Sequence, residues 1–479
     1  MKENFIDFVS IQLNRNAKEA LYVQLYNQLR QLIIEGKISE GYLLPPVRKF
    51  ATFLGINIGT VMNAYKELEK QGYIFSRSGS GSYVAELSGT EEGEELETDI
   101  DIEAVEPIKP DLGEKYINLA GIALNPDVVS VDQFKQVLNE VLDRDKGYAF
   151  SYQESQGFYP LRESITLHLK EHGVKTNANN VQIISGAQQG IDIVAKATLN
   201  YGDYVFMEKP TYPGAIAAFR SRGAKIIEIP MEEDGIAIDE LEKQIKKFRP
   251  KLIYVMPNIQ NPTGYTYSVI KRNRLMGLAR YYGTYILEDD YISELSYEKE
   301  IMAPLKAIDR DDRVIYLKSF SKIFMPGLRL AFLTIPQKLV NKFLVVKHNS
   351  DISTSGLTQR AFDLYLRKGI WHQHIKQISS LYQRQFTFTV KMLEMYLPKS
   401  IQYVKPRGGL SIWLILPECI SAKKIVEEAK KEAVIITEGK LFFSRKAPDR
   451  YLRISFATAS QGEIETGIQI VGKILNQHC

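Results

Sequence analysis

The sequence predicts two domains of different fold class, an N-terminal α+β domain in residues 1–85 and a larger α/β domain in residues 116–479. Three observations indicate this division. Residues 20–84 have the pattern of three helices and a strand hairpin, while residues 86–114 contain twelve acidic residues and a single lysine. The later residues contain apolar strands followed by polar loops. With 479 residues and 44% hydrophobic content, the chain can form two or three domains with large cores.

The first domain is predicted from helix and hairpin signals in order. A helix begins near Leu21 and ends before Gly36, because apolar residues recur along it at helical spacing. A second helix follows over residues 47–54, and a third over residues 58–71 with Asn57 at its N-cap. Residues 73–84 predict two short strands around a Gly/Ser tip. This order is typical of a winged helix-turn-helix domain, whose third helix enters the major groove of DNA.

The same segment resembles the DNA-binding domain of the GntR superfamily over nearly its whole length. It departs from that family at two positions: Pro46 replaces a serine that can contact phosphate, and Ile58 replaces the arginine near the start of the third helix. Isoleucine cannot hydrogen-bond a guanine edge, and three alternatives stay open: base recognition relies on other residues, specificity has shifted, or DNA affinity is weaker than in the family. The resemblance implies DNA contacts from the following polar residues: Arg48, Lys49, Asn57, Thr60 and Arg77.

Residues 86–115 are predicted to be a flexible linker. Their acidic residues are interspersed with Gly, Pro and Ser, and they contain few large apolar side chains. Such a segment cannot bury enough apolar surface to fold alone, and its like charges favour an extended chain. Two interpretations stay open: the linker is a solvated spacer, or its negative charge competes with DNA for the basic face of the first domain.

A lysine between hydroxyl side chains predicts a site for pyridoxal phosphate in the second domain. Ser319, Ser321 and Lys322 lie together in Ser319-Phe320-Ser321-Lys322, and Arg329 follows seven residues after the lysine. The lysine amine can form a Schiff base with the cofactor aldehyde. Hydroxyl groups and a guanidinium suit its phosphate.

Two earlier motifs supply other parts of the same chemistry. Asp289, after an apolar strand, can face the pyridine nitrogen of the cofactor and keep it protonated. Asn261 and Tyr291 can hydrogen-bond the phenolate oxygen of the ring. Each motif alone also fits a surface lysine, a turn or a helix cap. Their combination in this order favours the cofactor site.

These motifs resemble the aspartate-aminotransferase family of fold type I pyridoxal-phosphate proteins over residues 116–479, about three quarters of the chain. The resemblance implies a large domain and a small C-terminal α/β subdomain over roughly residues 370–479. It also implies that Ala187 and Gln188 contribute to a phosphate-binding turn and that Tyr212 stacks on the cofactor ring. Arg453 would bind the α-carboxylate of a ligand. Tyr152 would reach the phosphate in the partner subunit of a head-to-tail homodimer.

The fusion of both domains resembles the MocR-type regulators, and two functions stay open. In the first, the protein regulates transcription and its second domain senses a small amine, an amino acid or pyridoxal phosphate itself. In the second, it is a working aminotransferase with an accessory DNA-binding domain. The catalytic residues are present, so a transamination half-reaction is compatible with both.

Composition limits the remaining possibilities. No stretch has the length and apolarity of a membrane span, and the N-terminus lacks the apolar run of a signal peptide, so we expect a cytoplasmic protein. The two cysteines, Cys419 and Cys479, are too far apart in sequence to indicate a metal site or a disulfide framework. The six histidines, including His372 and His374, form no recognisable ligand set. We therefore expect no metal site.

Overall fold

A computed structural model describes residues 8–9, 11–15, 19–34, 36–39, 41–77, 81–85, 116–298 and 302–478. They fall into two compact units, one within Met1–Asp99 and one within Ile100–Cys479. The predicted linker of residues 86–115 lies outside the described residues.

The first unit contains three helices and an antiparallel hairpin, which confirms the predicted winged helix-turn-helix fold. Its elements are α1 (Leu21–Ile34), α2 (Val47–Leu54), α3 (Ile58–Lys70), β1 (Ile74–Arg77) and β2 (Gly81–Val84). Gly55 ends α2 with a φ of 65°, a left-handed conformation that favours glycine. The Asn57 side chain then accepts a hydrogen bond from the Gly59 N–H and caps α3, as predicted.

The core of the first unit follows from the helical spacing of its apolar residues. Leu25 and Leu29 of α1 are fully buried together with Val61 and Leu68 of α3. Phe50 of α2 packs against the same cluster. Ile58 and Met62, on the other side of α3, are exposed within this unit, and a DNA-reading helix needs an exposed side.

The second unit has an α/β architecture and begins with the short strand β3 (Ile117–Asn118). Its helices are α4 (Val131–Asp145), α5 (Tyr159–Glu171), α6 (Ala187–Thr198), α7 (Pro213–Ser221), α8 (Ile238–Phe248), α9 (Val269–Tyr282), α10 (Leu305–Ile308), α11 (Val340–Asp351), α12 (Gly356–Arg367), α13 (Ile370–Tyr396), α14 (Ala422–Lys431) and α15 (Gln461–His478). Short 3₁₀ turns lie at Pro126–Val128, Lys146–Phe150, Ala178–Asn180, Ser293–Leu295, Pro326–Leu328, Gln337–Leu339 and Gly439–Phe442.

Eight strands form the main sheet of this unit. They are β4 (Val181–Ile184), β5 (Tyr204–Lys209), β6 (Lys225–Glu232), β7 (Gly235–Ile236), β8 (Leu252–Val255), β9 (Tyr285–Asp290), β10 (Val314–Ser319) and β11 (Ala331–Thr334). Their order is β4, β11, β10, β9, β8, β5, β6, β7. The five neighbours from β10 to β6 are parallel, whereas β11 is antiparallel to both β10 and β4. The carboxyl ends of β4, β5, β8, β9 and β10 therefore lie at one edge of the sheet.

Helices cover both faces of the main sheet, as its central strands require. Along β5, Val205 and Met207 join a core with α6, α7 and α11, while Phe206 between them joins a core with α8 and α9. Because successive side chains of a strand point to opposite faces, a continuous apolar run indicates burial on both.

A second, smaller sheet lies in the C-terminal part of the chain. Its strands are β12 (Gln402–Tyr403), β13 (Ser411–Ile415), β15 (Thr437–Glu438) and β16 (Tyr451–Ser455), in the order β12, β13, β16, β15 and all antiparallel. The remaining strand, β14 (Val434–Ile435), pairs in parallel with β3. This pairing brings the first described residues of the unit beside its C-terminal sheet, and it places Asn118 and Ala120 near the functional site.

Candidate cofactor site

The predicted site residues are carried by loops at one edge of the main sheet. Tyr212 follows β5, Asn261 follows β8, Asp289 lies near the end of β9, and Lys322 follows β10. Ligands of open α/β sheets bind at the carboxyl ends of the strands, so this is the expected place for a cofactor. The structure brings these residues together around one cavity of about 470 Å³.

Eleven of the twelve residues predicted to bind cofactor or ligand line this cavity. They are Ala187, Gln188, Tyr212, Asn261, Asp289, Tyr291, Ser319, Ser321, Lys322, Arg329 and Arg453. The twelfth, Tyr152, does not line it, and its side chain is 85% exposed. The action of Tyr152 in a partner subunit stays a prediction.

Lys322 is one of the two lysines that line the cavity, and the other is Lys440. Burial and the nearby cations Arg453 and Arg329 lower the pKa of the Lys322 amine to about 8. A lowered pKa increases the neutral fraction of the amine, which is the nucleophilic form. Lys318, four residues earlier on β10, is instead held in a buried ion-pair cluster, with its Nζ 3.0 Å from Asp290 and 2.5 Å from Glu294.

Asp289 is buried and has one oxygen available for a ligand. Its Oδ2 accepts a hydrogen bond from the Tyr254 hydroxyl at 2.7 Å. Its Oδ1 is buried and has no hydrogen-bond partner among the described residues. Burial, followed by the nearby Asp290 charge, raises the pKa of Asp289 to about 7. A protonated pyridine nitrogen would satisfy the orphan oxygen and favour the ionised carboxylate.

The first turn of α6 has the geometry of an anion-binding site. The N-cap Gly186 supplies no side-chain hydrogen bond to the first turn, so the N–H groups of that turn can serve an anion. Gly186 has a φ of 104°, and a Cβ there would collide with the Arg329 guanidinium. Arg329 Nη2 donates to the Ser185 carbonyl at 2.9 Å, which holds its fork over the turn. Ser319 and Ser321 line the same cavity.

Arg453 is a buried cation with no acidic partner among the described residues. Its Nη1 donates to Asn261 Oδ1 at 3.1 Å, and its Nη2 donates to the Ala120 carbonyl at 3.0 Å. The guanidinium lies over the Phe442 ring at 4.9 Å, and its Nε has no partner in the part of the chain that is described. Burial lowers the pKa of Arg453 to about 10. A ligand carboxylate would satisfy this charge.

Several residues of the site were not predicted from the sequence. Four such residues line the cavity or contact its predicted residues: Tyr254, Asn118, Thr437 and Phe442. Each lies in an ordinary strand or turn with no motif of its own. Their roles depend on strand pairing, such as that of β3 with β14, which brings together residues more than 300 positions apart.

The predicted DNA-contact residues lie on and around α2 and α3. Arg48 and Lys49 are exposed in the first turn of α2, and Thr60 is half-buried in the first turn of α3. Asn57 uses its side-chain oxygen to cap α3, which leaves its amide N–H groups for another partner. Arg77 ends β1, where its backbone pairs with Gly81.

In the described part of the chain, no helix combines the length and the apolar character needed to cross a bilayer.

The cavity fits pyridoxal phosphate on three observations. Asp289 has an unsatisfied buried oxygen, the first turn of α6 and Arg329 form an anion pocket, and Lys322 supplies an amine of lowered pKa. When bound, this cofactor supplies an aldehyde that captures amines and a ring that accepts electrons.

Comparison with known proteins agrees with both units. Residues 120–471 match the family "Aminotransferase class I and II", and residues 21–84 match "Bacterial regulatory proteins, gntR family". The probable rhizopine catabolism regulatory protein MocR of Rhizobium meliloti is 30% identical over 476 residues, which cover 95% of this chain and 94% of that protein. Aromatic-amino-acid aminotransferase 1 of Thermococcus litoralis is 30% identical over 75% of this chain and 88% of its own length.

The solved structures agree for the second unit. The α-aminoadipate aminotransferase LysN of Thermus thermophilus, complexed with N-(5'-phosphopyridoxyl)-L-leucine, matches with a TM-score of 0.72 and 30% identity. The match covers 76% of this chain and 92% of that one. The aminotransferase similarity therefore stops short of the N-terminal domain, whereas the similarity to MocR spans both. The chain belongs to the MocR-type regulators, in which a gntR-family DNA-binding domain precedes an aminotransferase class I and II domain.

Proposed function

We propose that this protein is a transcription regulator in which an amino acid, bound beside pyridoxal phosphate, changes the affinity of the N-terminal domain for operator DNA. The observation that carries the proposal is Arg453, a buried guanidinium that faces the Lys322 cavity without an acidic partner among the described residues. A buried charge requires compensation, and a planar fork suits a carboxylate. The amine of the same ligand would reach the cofactor held at Lys322.

An amino acid fits this site better than a simple amine or the cofactor alone. A simple amine would leave Arg453 unpaired. The cofactor phosphate already has its own cation in Arg329, at the N-terminus of α6. Arg453 also joins parts of the unit that are distant in sequence, because it contacts Asn261 and the Ala120 carbonyl. When Arg453 pairs with a ligand, the segment around Ala120 and the small C-terminal sheet can therefore shift relative to the main sheet.

DNA recognition is assigned to the first unit. We propose that Arg48, Lys49, Asn57, Thr60 and Arg77 contact the phosphate backbone and that α3 enters the major groove. The domain boundaries that we propose are residues 1–85 for DNA binding, 86–115 for an acidic tether and 116–479 for cofactor and effector, with a small subdomain over roughly 370–479. We also propose a cytoplasmic location, because a transcription regulator has to reach its operator DNA.

The assembly that we propose is a head-to-tail homodimer. Large aromatic side chains are concentrated in a short exposed segment, with Tyr148, Phe150 and Tyr152 exposed by 78%, 70% and 85%. Such a segment is typical of a protein interface. A dimer would cover these rings, place Tyr152 at the partner's phosphate and present two DNA-binding domains to paired half-sites.

A second candidate function, amino-acid transamination, is favoured by the state of Lys322. An amine whose pKa is about 8 can accept and return a proton near neutral pH, which a transaminase requires. A half-reaction with an amino acid is therefore compatible with sensing. Sustained turnover would indicate the enzyme instead of the regulator.

The decisive experiment compares wild type with Arg453→Met. Binding to the promoter fragment would be measured by fluorescence anisotropy while amino acids, the matching amines without a carboxylate, and pyridoxal phosphate are added. Arg450→Met is the matched control, because Arg450 pairs with Glu418 outside the cavity. We expect Arg453→Met to weaken the binding of the amino acid that causes the response by about 2–5 kcal/mol. Arg450→Met should leave this binding unchanged.

Two results would overturn the proposal. A response to pyridoxal phosphate alone, equal in wild type and Arg453→Met, would make the cofactor the effector. Promoter binding that ignores every ligand, together with turnover at about 1–10³ per second, would favour the aminotransferase.

A further inference from the structure

A group of metal-ligand side chains lies outside the cofactor cavity, where the C-terminal end of α5 meets the first turn of α13. His168 and Glu171 come from α5, and His372 comes from α13. His168 Nδ1 lies 3.7 Å from Glu171 Oε2, and His372 Nε2 lies 3.3 Å from the same oxygen. All three ligand atoms lie within 4.8 Å of one another. None of these residues lines the cofactor cavity.

These distances suit a tetrahedral ion. Bonds of about 2.0–2.2 Å to nitrogen and oxygen separate neighbouring ligand atoms by roughly 3.3–3.6 Å. The two distances from a histidine nitrogen to Glu171 Oε2 are already close to this ligand-to-ligand separation. Only the two imidazoles must approach each other, and His372 can turn because its side chain is 62% exposed.

The other histidine of the group is held in place by packing. His168 is half-buried, and its ring meets the Trp371 ring edge-on at a centroid distance of 6.3 Å. Trp371 is fully buried among Phe320, Phe324 and Phe362 and directly precedes His372. The aromatic core therefore fixes the backbone that carries His372 beside the helix that carries His168. The site is built on two helices, which hold ligands more rigidly than loops do.

The sequence around these residues has a spacing known from zinc sites. Residues 168–172 read His-Leu-Lys-Glu-His, the H-x-x-E-H pattern, and they span the last turn of α5 and its C-cap, His172. His172 lies beside His168, with the ring centroids 4.9 Å apart. Among the described residues, Glu171 has no lysine or arginine partner, so its carboxylate faces histidines only. His374, two residues after His372, is buried against the Ile323 carbonyl, whereas His372 is exposed.

We propose that His168, Glu171 and His372 bind a divalent transition-metal ion of the Zn²⁺ type. Two imidazoles and one carboxylate form a ligand set that this ion prefers, and the fourth position would hold water or His172. The ion joins α5 to α13, two helices whose site residues are about 200 positions apart in sequence. This assignment replaces the expectation, drawn from the sequence, that the chain has no metal site.

The test is a titration of the full-length, tag-free protein loaded with pyridoxal phosphate. Zn²⁺ binding would be measured by calorimetry, and Co²⁺ would report tetrahedral coordination through its visible spectrum. We expect one ion per chain and a higher melting temperature with Zn²⁺. His372→Gln is the main variant, because an exposed side chain can change without harming the fold. It should weaken binding at least about tenfold, since even the loss of an outer-shell partner has that effect.

His478→Gln is the matched control. His478 pairs with Glu428 at 2.9 Å but has no second histidine beside it among the described residues, so this variant should bind Zn²⁺ as wild type does. Glu171→Gln should resemble His372→Gln. Absence of binding at micromolar Zn²⁺, or equal binding by wild type and His372→Gln, would overturn the proposal.

Discussion

Two lysines four residues apart have opposite environments, although both lie near the carboxyl end of β10. Lys318 is buried against Asp290 and Glu294, which raise the pKa of its amine despite burial. Burial, followed by the nearby Arg453 and Arg329 charges, lowers the pKa of the Lys322 amine. The first amine is therefore held as a structural cation. The second is available to a carbonyl compound.

We therefore expect Lys322→Ala and Lys318→Met to have different effects. Lys322→Ala should abolish the near-visible absorbance of the bound cofactor and the adduct that borohydride traps, while the fold is kept. Lys318→Met should keep the absorbance but lower the free energy of unfolding by about 3–5 kcal/mol, because it leaves buried carboxylates unpaired. Absorbance spectra and denaturant unfolding of both variants provide the measurement. A trapped adduct on any other lysine would contradict the assignment of Lys322.

Three buried carboxyl groups make the cofactor-free protein sensitive to pH. Burial raises the pKa of Glu208, Glu288 and Asp289 to about 7, whereas carboxyls in an unfolded chain have a pKa of about 4. Between these values the folded state binds more protons than the unfolded state. The stability that these groups confer is therefore complete below pH 4 and is lost as the pH rises through about 7.

We expect the cofactor-free protein to unfold more easily at pH 8 than at pH 5. One pKa unit corresponds to about 1.4 kcal/mol, so the contribution of Asp289 should be visible in urea unfolding at the two pH values. Asp289→Asn removes one titrating group and should make the dependence shallower. An equal dependence in wild type and Asp289→Asn would show that this carboxyl does not titrate as described.

At the scale of the element, α3 has one buried and one exposed apolar surface. Val61, Ala64 and Leu68 pack into the core, while Ile58 and Met62, one turn apart, are 49% and 44% exposed. Exposed apolar side chains on a groove-entering helix can contact thymine methyl groups but cannot hydrogen-bond guanine. The replacement of the family's arginine by Ile58 therefore changes which bases the helix can recognise, while the helix itself still forms.

We expect Ile58→Arg to alter operator preference. An arginine at this position should favour sites with a guanine opposite it by about 1–3 kcal/mol over the matching adenine or thymine sites. Met62→Arg adds the same charge one turn further along and serves as the control for a general electrostatic gain. Binding to a set of single-base operator variants provides the measurement. If both variants bound all operator sequences more tightly by the same factor, the new arginines would contact only phosphates.

At the scale of the whole molecule, the cofactor site is incomplete in one chain if Tyr152 acts across a dimer. The residue does not line the cavity of its own chain, and its neighbours Tyr148 and Phe150 are exposed as well. A single hydroxyl hydrogen bond contributes about 1–2 kcal/mol, far less than the burial of an interface.

We therefore expect Tyr152→Phe to weaken cofactor binding by about 1–2 kcal/mol without dissociating the dimer. Tyr148→Phe removes a hydroxyl from the same exposed segment and should leave cofactor binding unchanged. Sedimentation and cofactor titration of the two variants separate the roles. A monomer at micromolar concentration that is fully loaded with cofactor would contradict the shared site.

The sequence alone determined the features that depend on local chemistry. Helical spacing located α1 to α3, the Asn57 cap and Gly55 were readable from neighbouring residues, and the order of Asn261, Asp289 and Lys322 predicted a pyridoxal-phosphate site. These features need only residues that are close in the chain or motifs whose order is characteristic. They also sufficed to indicate both domains and the family.

The tertiary structure alone decided the features that depend on distant residues. The pairing of β3 with β14 brings Ala120 to Arg453, and Tyr254 satisfies only one oxygen of Asp289. The packing of Trp371 likewise brings His372 to His168 and Glu171. None of these contacts follows from sequence spacing, because burial and pairing are set by how whole elements pack. Which buried charge remains unpaired, and is therefore available to a ligand, is determined at that level.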